Sequence, residues 1–331
     1  MRVCIVTPAA AGSRFGNRVT ALRWAGHLRA LGHRVQLAEA WDGQPCDVLV
    51  ALHARKSFPS VERFRRARPT GPLVVALTGT DLYEDLAHSP EARRSLELAD
   101  RLTVLQPLGL EALPAEVRSK ARVVHQSARA ASPAPPPPGV FQACLLAHLR
   151  EVKDPFLAAE AARRMPPRSR LSIVHLGAAH DAESEARARR EMADNPRYRW
   201  RGGRPRAEAL SMLAGSRLLL VTSRLEGGAN VVSEALASNV PVLSTRIDGS
   251  VGILGPGYPG YFPVGDAVAL ADLLLRAEEE AGFLERLRAA LQPARALVDP
   301  ARERAAWREL LVELAGPSSG RHLAASAGPS R

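Results

Sequence analysis

The sequence has no run of eighteen apolar residues, few aromatic residues and only three cysteines. A membrane-spanning helix needs about twenty apolar residues in a row, so none is expected. The cysteines, Cys4, Cys46 and Cys144, lack the spacing of metal ligands, and we interpret them as reduced thiols of a cytoplasmic protein. The first ten residues, MRVCIVTPAA, are too short for a signal peptide and predict a buried first strand.

Lysine is also scarce, so the net charge of +11 comes almost entirely from arginine. Many arginines alternate with glutamates, as in ESEARARRE at 183–191, which is typical of a solvated helix face. Aromatic residues are 5% of the chain, and no basic stripe carries interleaved aromatic residues. We therefore expect no nucleic-acid partner, whereas a positive field favours small anionic substrates.

What the chain does have is a regular alternation of short apolar runs and helical patterns. In the first part, buried parallel strands are predicted at 1–8, 47–53, 72–78, 101–105 and 123–127. A helix is predicted at 19–31, with Gly32 just beyond its end. This alternation predicts a doubly wound α/β domain over residues 1–129.

Four consecutive prolines in AASPAPPPPG, residues 130–139, predict a stiff, extended linker. A second α/β domain is then predicted over 140–298. Its predicted strands lie at 141–149, 171–176, 198–201, 217–222 and 240–245, with helices at 155–164 and 206–214.

The end of the chain predicts one more helix and a tail. Residues 299–315 have Asp299 as a cap and Pro300 in the first turn, with Gly316 after the end. Residues 316–331 are rich in Ser, Gly, Ala and Pro, which predicts a disordered tail.

The segment VTSRLEGGANVVSEALASNVPVL, residues 221–243, predicts a strand, a glycine turn, a helix and a second strand. Gly227 and Gly228 permit close approach, and the helix is predicted to start near Ala229 and to end with Asn239 in a left-handed conformation. The N–H groups at a helix start bind anions such as phosphates. The pattern therefore predicts a site for a nucleotide diphosphate sugar.

Glu226 and Glu234 bracket this turn, and Asn230 shares a helix face with Glu234. The segment resembles the EX7E signature of retaining glycosyltransferases of family 4, and the resemblance extends over most of the chain. It implies an α/β chain of the GT-B fold, with two Rossmann-like doubly wound domains, an interdomain cleft and a C-terminal crossover helix packing on the first domain.

The same resemblance implies roles for these residues. Glu234 would accept hydrogen bonds from the donor ribose, and Glu226 would contact the donor sugar. The backbone donors near the diphosphate and sugar would be Gly227, Gly228, Ala229 and Asn230.

In that family an arginine and a lysine after the first strand of the second domain hold the diphosphate. The corresponding segment here is AHLREVKDPF, in which Lys153 occupies the lysine position. His148 stands at the usual arginine position and Arg150 follows two residues later, so either Arg150 replaces that arginine or His148 acts as the donor. Arg204, in RGGRPRAEAL, is a candidate for reading the base; a surface turn is the alternative.

Three loops that follow predicted strands of the first domain are candidates for acceptor binding. They are PAAAGSRFGNRVTA, which lacks GxGxxG and a Walker lysine, and HARKS and LTGTDLYED, which follow later strands. The candidate residues are Gly12, Ser13, Arg14, Gly16, Asn17, Arg18, Arg55, Lys56, Thr78, Thr80 and Asp81. Any one of them could be only a helix cap, and for Asp81 the two interpretations are equally favoured.

Several segments together are similar to the selenosugar synthases of selenoneine biosynthesis. They are VTPAAAGSRFGNRVTALRWAGHLRALGH, LVALHARKS, RGGRPRAEALSML, TSRLEGGANVVSEALASNVPVLSTRIDGSVGILG and GYPGYFPVGD. The resemblance implies that N-acetylglucosamine passes from UDP-N-acetylglucosamine to selenophosphate, forming a C–Se bond, with Lys153, Glu226 and Arg150 catalytic. No metal or other cofactor is expected. Basic acceptor loops suit the small selenophosphate anion, and an ionised selenium nucleophile needs no strong general base.

Two alternatives stay open. A family 4 transferase that uses a UDP-sugar and a hydroxyl or thiol acceptor would carry the same donor residues. A non-catalytic nucleotide-sugar-binding protein would keep the donor residues as well. A dinucleotide enzyme is disfavoured, because no GxGxxG follows the first strand. The sequence does not indicate an oligomeric state.

Overall fold

The computed structural model describes residues 1–13 and 15–315. It has two compact units: Met1–Gln126 with the segment that begins at Pro300, and Ser127–Asp299. The predictions for Arg14, for Gly316 and for the tail lie outside the described residues. No helix of the described chain is long and apolar enough to cross a membrane.

The first unit is a six-stranded parallel sheet in the order β2-β1-β3-β4-β5-β6. Its strands are β1 (Arg2–Val6), β2 (Arg34–Ala38), β3 (Val48–Leu52), β4 (Leu73–Ala76), β5 (Arg101–Val104) and β6 (Ala121–Val123). Its helices include α1 (Gly16–Ala30), α2 (Phe58–Ala67), α3 (Leu86–His88), α4 (Pro90–Leu98) and α5 (Leu108–Glu111), with a π-helical turn at Asp81–Asp85 and a 3-10 helix at Ala115–Lys120. The strand VLVAL of β3 is apolar throughout because it is buried on both faces.

The prediction of a last strand at 123–127 is wrong in its position. Strand β6 lies at Ala121–Val123 and pairs with β5. The last backbone hydrogen bond to β5 runs from Val124 N–H to the carbonyl of Val104, where β5 ends. The neighbouring strand then turns away towards α5, so the residues after Val124 have no strand to pair with.

The second unit is also a six-stranded parallel sheet, in the order β12-β11-β10-β7-β8-β9. Its strands are β7 (Phe141–Leu146), β8 (Leu171–Leu176), β9 (Tyr198–Trp200), β10 (Leu218–Val221), β11 (Val242–Thr245) and β12 (Tyr261–Phe262). Its helices are α6 (Phe156–Arg163), α7 (Ala182–Asp194), α8 (Arg206–Gly215), α9 (Asn230–Ala237), α10 (Asp248–Leu254), α11 (Ala267–Glu279) and α12 (Phe283–Arg295), with 3-10 helices at Glu151–Lys153 and Ala296–Val298.

Strand order reverses between β1 and β3 in the first sheet, and between β7 and β10 in the second. At such a switch point the connections leave in opposite directions from neighbouring strands. Ligands of open α/β sheets bind in the crevice that this creates at the carboxyl ends of the strands. Each unit therefore has one place where a ligand site is expected.

The segment that leads into the second sheet has neither helix nor strand, in keeping with its prolines. It packs on α8, where Ala134 N–H donates to the carbonyl of Ser211 at 2.9 Å. A Cβ on Gly215 would lie 2.0 Å from the carbonyl oxygen of Ala134, so only glycine allows this contact.

The last helix, α13 (Pro300–Ala315), packs on α1 of the first unit. Trp307 is fully buried and meets Trp24 edge-on, with ring centroids 4.8 Å apart. Glu303 is buried as well and accepts from Trp24 Nε1 at 2.7 Å and from Arg23 Nε at 3.0 Å. His27 Nε2 lies 3.0 Å from the same carboxylate. An ionic network thus anchors this helix to α1.

Candidate active site

Two loops at the switch point of the second sheet are joined by direct hydrogen bonds. One follows β7 and carries Lys153, and the other follows β10. Arg224 N–H donates to the carbonyl of Val152 at 2.9 Å, and the Thr222 hydroxyl donates to the carbonyl of Lys153 at 2.8 Å. The two loops therefore hold their side chains in a fixed relation.

Lys153 and Glu226, predicted from separate motifs, are in contact. The Lys153 ammonium pairs with Glu226 Oε1, and the Ser223 hydroxyl donates to that oxygen at 2.7 Å. A Cβ on Gly249 of α10 would lie 2.3 Å from the Glu226 carbonyl oxygen, so α10 packs directly against the backbone of Glu226. Sequence reasoning missed Ser223 and Gly249, because neither belongs to a recognisable pattern.

The glycine turn leads into α9 without a side-chain cap. Gly227 and Gly228 are buried, and α9 begins at Asn230 with Ala229 as its N-cap residue. Ala229 has an extended backbone and no side chain that caps the helix. Asn239 has a φ of 55°, so the predicted left-handed end of the helix is confirmed.

Glu234 lies one turn into α9 and is buried, with 4% of its surface exposed. Its Oε1 lies 2.5 Å from a guanidinium nitrogen of Arg206, the first residue of α8. The two carboxylates of the motif are therefore each matched by a cation. Arg204, the residue singled out from the sequence, instead donates to the carbonyl of Arg201 at 3.0 Å and lies 3.8 Å from Glu208.

His148 and Arg150 both lie in the loop after β7, together with Lys153. His148 Nδ1 accepts from Ala178 N–H at 3.1 Å, which assigns the proton of a neutral ring to Nε2. Arg150 is half-buried and precedes the 3-10 helix that contains Lys153. Both residues stay candidates for the second diphosphate contact.

His175 of β8 holds the loop after β7 through a hydrogen bond to its backbone. Burial lowers the pKa of His175 to about 4, so its ring is neutral near pH 7. Nε2 donates to the Ala147 carbonyl at 2.7 Å, and Nδ1 accepts from the Tyr198 hydroxyl at 2.5 Å. Gly177 adds close packing, since a Cβ there would overlap the Ala147 carbonyl.

The predicted acceptor residues follow β1, β3 and β4 of the first unit, around its own switch point. Gly12 adopts a φ of 81° in a turn with Ser13, and Gly16, Asn17 and Arg18 form the first turn of α1. Lys56 is exposed after β3. Arg55 is paired with Asp85 at 2.9 Å.

Thr80 belongs to a cluster around His53. The Thr80 hydroxyl lies 3.3 Å from His53 Nε2, while His53 Nδ1 accepts from Lys56 N–H at 3.3 Å. His53 is buried, which lowers its pKa, and it has a φ of 74°. A non-glycine residue in this region carries backbone strain, and such residues cluster at functional sites.

Asp81 is a structural brace. It is fully buried and accepts from the N–H groups of Ala54, Thr78 and Gly79 at 2.8–2.9 Å. The donors lie in the two loops and not in the first turn of a helix, so Asp81 is no helix cap here; its carboxylate fastens the loop after β3 to the loop after β4.

Residues 1–13 and 15–315 contain no cluster of three or more His, Cys, Asp or Glu side chains that could hold a metal ion. The cysteines Cys4, Cys46 and Cys144 are free and buried.

Comparison with protein families finds a match within the second unit. Residues 129–293 match the family described as Glycosyl transferases group 1, and these residues make up most of Ser127–Asp299. These residues are therefore similar to that family over nearly the whole of the second unit. Comparison with curated protein sequences finds no match.

Several solved structures are similar to the chain over most of its length. Anabaena Alr3699/HepE in complex with UDP has a TM-score of 0.73 and 15% identity, over 94% of this chain and 99% of that one. Sucrose-phosphate synthase from Thermosynechococcus elongatus has a TM-score of 0.68 and 15% identity, over 95% and 97%. The pneumococcal O-GlcNAc transferase GtfA in complex with UDP and GlcNAc has a TM-score of 0.64 and 15% identity, over 91% and 61%. The prediction of a GT-B fold with two Rossmann-like units is confirmed.

Proposed function

We propose that the chain is a glycosyltransferase that transfers N-acetylglucosamine from UDP-N-acetylglucosamine to selenophosphate. The observation that carries the donor half of the proposal is the Lys153–Glu226 contact beside the glycine turn, at the switch point of the unit that is similar to the glycosyl transferases group 1 family. UDP in the Alr3699/HepE complex and UDP with GlcNAc in the GtfA complex support the choice of donor class. The choice of selenophosphate is supported by the resemblance of the motifs.

In this proposal the diphosphate lies against Gly227, Gly228 and the start of α9. The backbone N–H groups there carry the positive end of the helix dipole, and no N-cap side chain competes for them. Lys153 adds a positive charge, and Glu234 receives the ribose hydroxyls. Two unpaired carboxylates would repel a diphosphate, but Lys153 and Arg206 neutralise Glu226 and Glu234.

The first step breaks the bond between the anomeric carbon and the UDP oxygen, and its electron pair goes to UDP. Charge therefore grows on the β-phosphate, where Lys153 and the N–H groups of the turn stabilise it. Glu226 favours the positive charge that builds on the sugar. The selenium of selenophosphate donates the electron pair that forms the new C–Se bond.

The second step is hydrolysis. Water attacks the phosphorus of the Se–P bond, which gives inorganic phosphate and the selenol of the sugar. On the acceptor side, Arg18 of α1 and Lys56 supply positive charge. Arg55 is paired with Asp85, as Lys153 is with Glu226, and stays a third candidate for the positive charge on the acceptor side.

The test is mass spectrometry of purified protein with UDP-N-acetylglucosamine and selenophosphate. The proposal predicts UDP, phosphate and a selenosugar, each absent when either substrate is left out. Turnover with alcohols or thiols but not with selenophosphate would favour the broader family 4 activity. Binding of UDP-sugar without product from any acceptor would favour a non-catalytic binding protein.

A further inference from the structure

The ion pair between Arg206 and Glu234 was not predicted from the sequence motifs. It joins two helices of the second unit, α8 and α9. Arg206 begins α8, where a cation is unfavourable because the start of a helix is itself positive. Its guanidinium is nevertheless 2.5 Å from Glu234 Oε1 in α9. The position of Arg206 is thus explained by the carboxylate that it meets and not by its own helix.

The two members of the pair differ in exposure. The Glu234 side chain is 5% exposed and the Arg206 side chain is 47% exposed. A buried carboxylate needs a compensating charge or hydrogen bonds to hold its ionised form. An ionised carboxylate accepts about four hydrogen bonds, so a ligand hydroxyl can bind the same group as Arg206.

We propose that Arg206 is a positioning residue that orients Glu234 for a ribose and so makes the site prefer ribonucleotides to deoxyribonucleotides. This inference rests on the proposed function, in which Glu234 receives the ribose hydroxyls. A hydroxyl that donates to an ionised, correctly aimed carboxylate forms a stronger hydrogen bond than one that meets a neutral or rotated carboxyl. In this proposal Arg206 acts on Glu234 through the ion pair, as the countercharge that favours the ionised carboxylate and keeps Oε1 on the side of α8.

A merely structural role for Arg206 predicts a different result. If the pair only held α8 to α9, its loss would weaken binding of every nucleotide by the same factor. If Arg206 orients Glu234, its loss acts on the ribose hydroxyl and leaves the diphosphate contacts in place. The ratio of two dissociation constants separates these cases.

The experiment measures Kd for UDP, 2′-deoxy-UDP and 3′-deoxy-UDP by titration calorimetry on the full chain. The variants are Arg206→Met, Arg206→Lys and Glu234→Gln, with Arg164→Met as matched control. Arg164 is 45% exposed in an ion pair with Glu160, so its replacement removes a similarly exposed arginine from an ion pair elsewhere in the same unit. Unfolding curves for each variant report whether the fold is kept.

The unaltered chain should bind UDP about tenfold more tightly than at least one deoxy analogue, as expected for a hydrogen bond to a charged group. Arg206→Met should bring that ratio close to one, Arg206→Lys should restore part of it, and Arg164→Met should leave it unchanged. Glu234→Gln should lower the ratio, and the double variant with Arg206→Met should lower it no further.

Other outcomes overturn the inference. A folded Arg206→Met variant that keeps the full ratio shows that Arg206 does not orient the ribose contact. If Arg206→Met does not fold, a full ratio in Arg206→Lys together with a lost ratio in Glu234→Gln contradicts the proposal. An unaltered chain that binds UDP without discrimination removes Glu234 as the ribose contact, and one that does not bind UDP at all refutes the donor site itself.

Discussion

At the scale of single residues, the candidate site consists of charges fixed by their neighbours. Lys153 and Glu226 were predictable, because each belongs to a motif with known chemistry. Ser223, Gly249 and Arg206 were not, because the fold brings them to the motif from positions that carry no pattern of their own. Local sequence therefore points to the candidate groups of the site, while tertiary packing brings the residues that contact them.

Replacement of Lys153 by methionine tests the charge at the diphosphate. Methionine keeps much of the side-chain length and removes the ammonium, so stabilisation of the departing UDP is lost. We expect kcat to fall by about a hundredfold or more, which corresponds to the ~3 kcal/mol typical for one such donor. Steady-state release of UDP measures this, with Arg164→Met as the control. A change of less than about threefold would contradict the role of Lys153.

Gly249→Ala tests how tightly Glu226 is held. The added Cβ would lie 2.3 Å from the Glu226 carbonyl oxygen, so the loop after β10 must shift. We expect kcat to fall at least tenfold while the enzyme stays folded, since a shift of about 1 Å at a reacting group has such effects. Gly257→Ala is the matched control, because no atom lies within 4 Å of its added Cβ. Equal activity in the two variants would show that the packing at Gly249 is unimportant.

At the scale of helices and strands, the regular pattern of buried strands predicted most of both sheets. The strand at Arg34–Ala38 was not predicted, because RVQLA is short, partly exposed and flanks the sheet as an edge strand. The two-residue strand at Tyr261–Phe262 was too short to have a periodicity. The last strand of the first sheet was misplaced because the apolar pair Val123 and Val124 ends the strand and does not begin it, and the polar residues His125, Gln126 and Ser127 have no partner strand.

His175, the buried histidine beneath the loop after β7, should make the stability of the protein depend on pH. His175 has a pKa of about 4 in the folded chain and about 6.5 when unfolded, so only the unfolded state binds the proton between these values. Stability should therefore fall as the pH drops from 6.5 to 4, by about 3 kcal/mol from this residue. Urea unfolding at pH 4–8 measures it. His175→Gln, which can keep both hydrogen bonds, should show a shallower loss; parallel curves would contradict the assignment.

We expect two glutamates of α13, Glu303 and Glu309, to contribute differently to the free energy of unfolding. Glu303 is buried against Arg23, Trp24 and His27, whereas Glu309 on the same helix is exposed. Glu303→Leu leaves the guanidinium of Arg23 without its carboxylate, so we expect a loss of about 3 kcal/mol or more in the free energy of unfolding. Glu309→Leu should change stability by less than about 0.5 kcal/mol. Similar unfolding curves for both variants would show that the network does not stabilise the helix.

At the scale of the whole molecule, two sheets with reversed strand order define where ligands bind before any side chain is considered. In the second sheet, the switch point collects Lys153 after one strand and Glu226 after its neighbour. In the first sheet, the corresponding loops carry Lys56, Thr80 and the strained His53. The GT-B architecture thus explains why residues from distant motifs converge, but it is shared by many enzymes and does not select the acceptor.

A crystal structure of the protein with UDP tests the proposed donor site most directly. We expect the β-phosphate within about 3 Å of the Gly228 N–H and the Lys153 ammonium, with a ribose hydroxyl on the Glu234 carboxylate. A pyrophosphate bound elsewhere in the molecule, out of reach of Gly228 and Lys153, would contradict this placement.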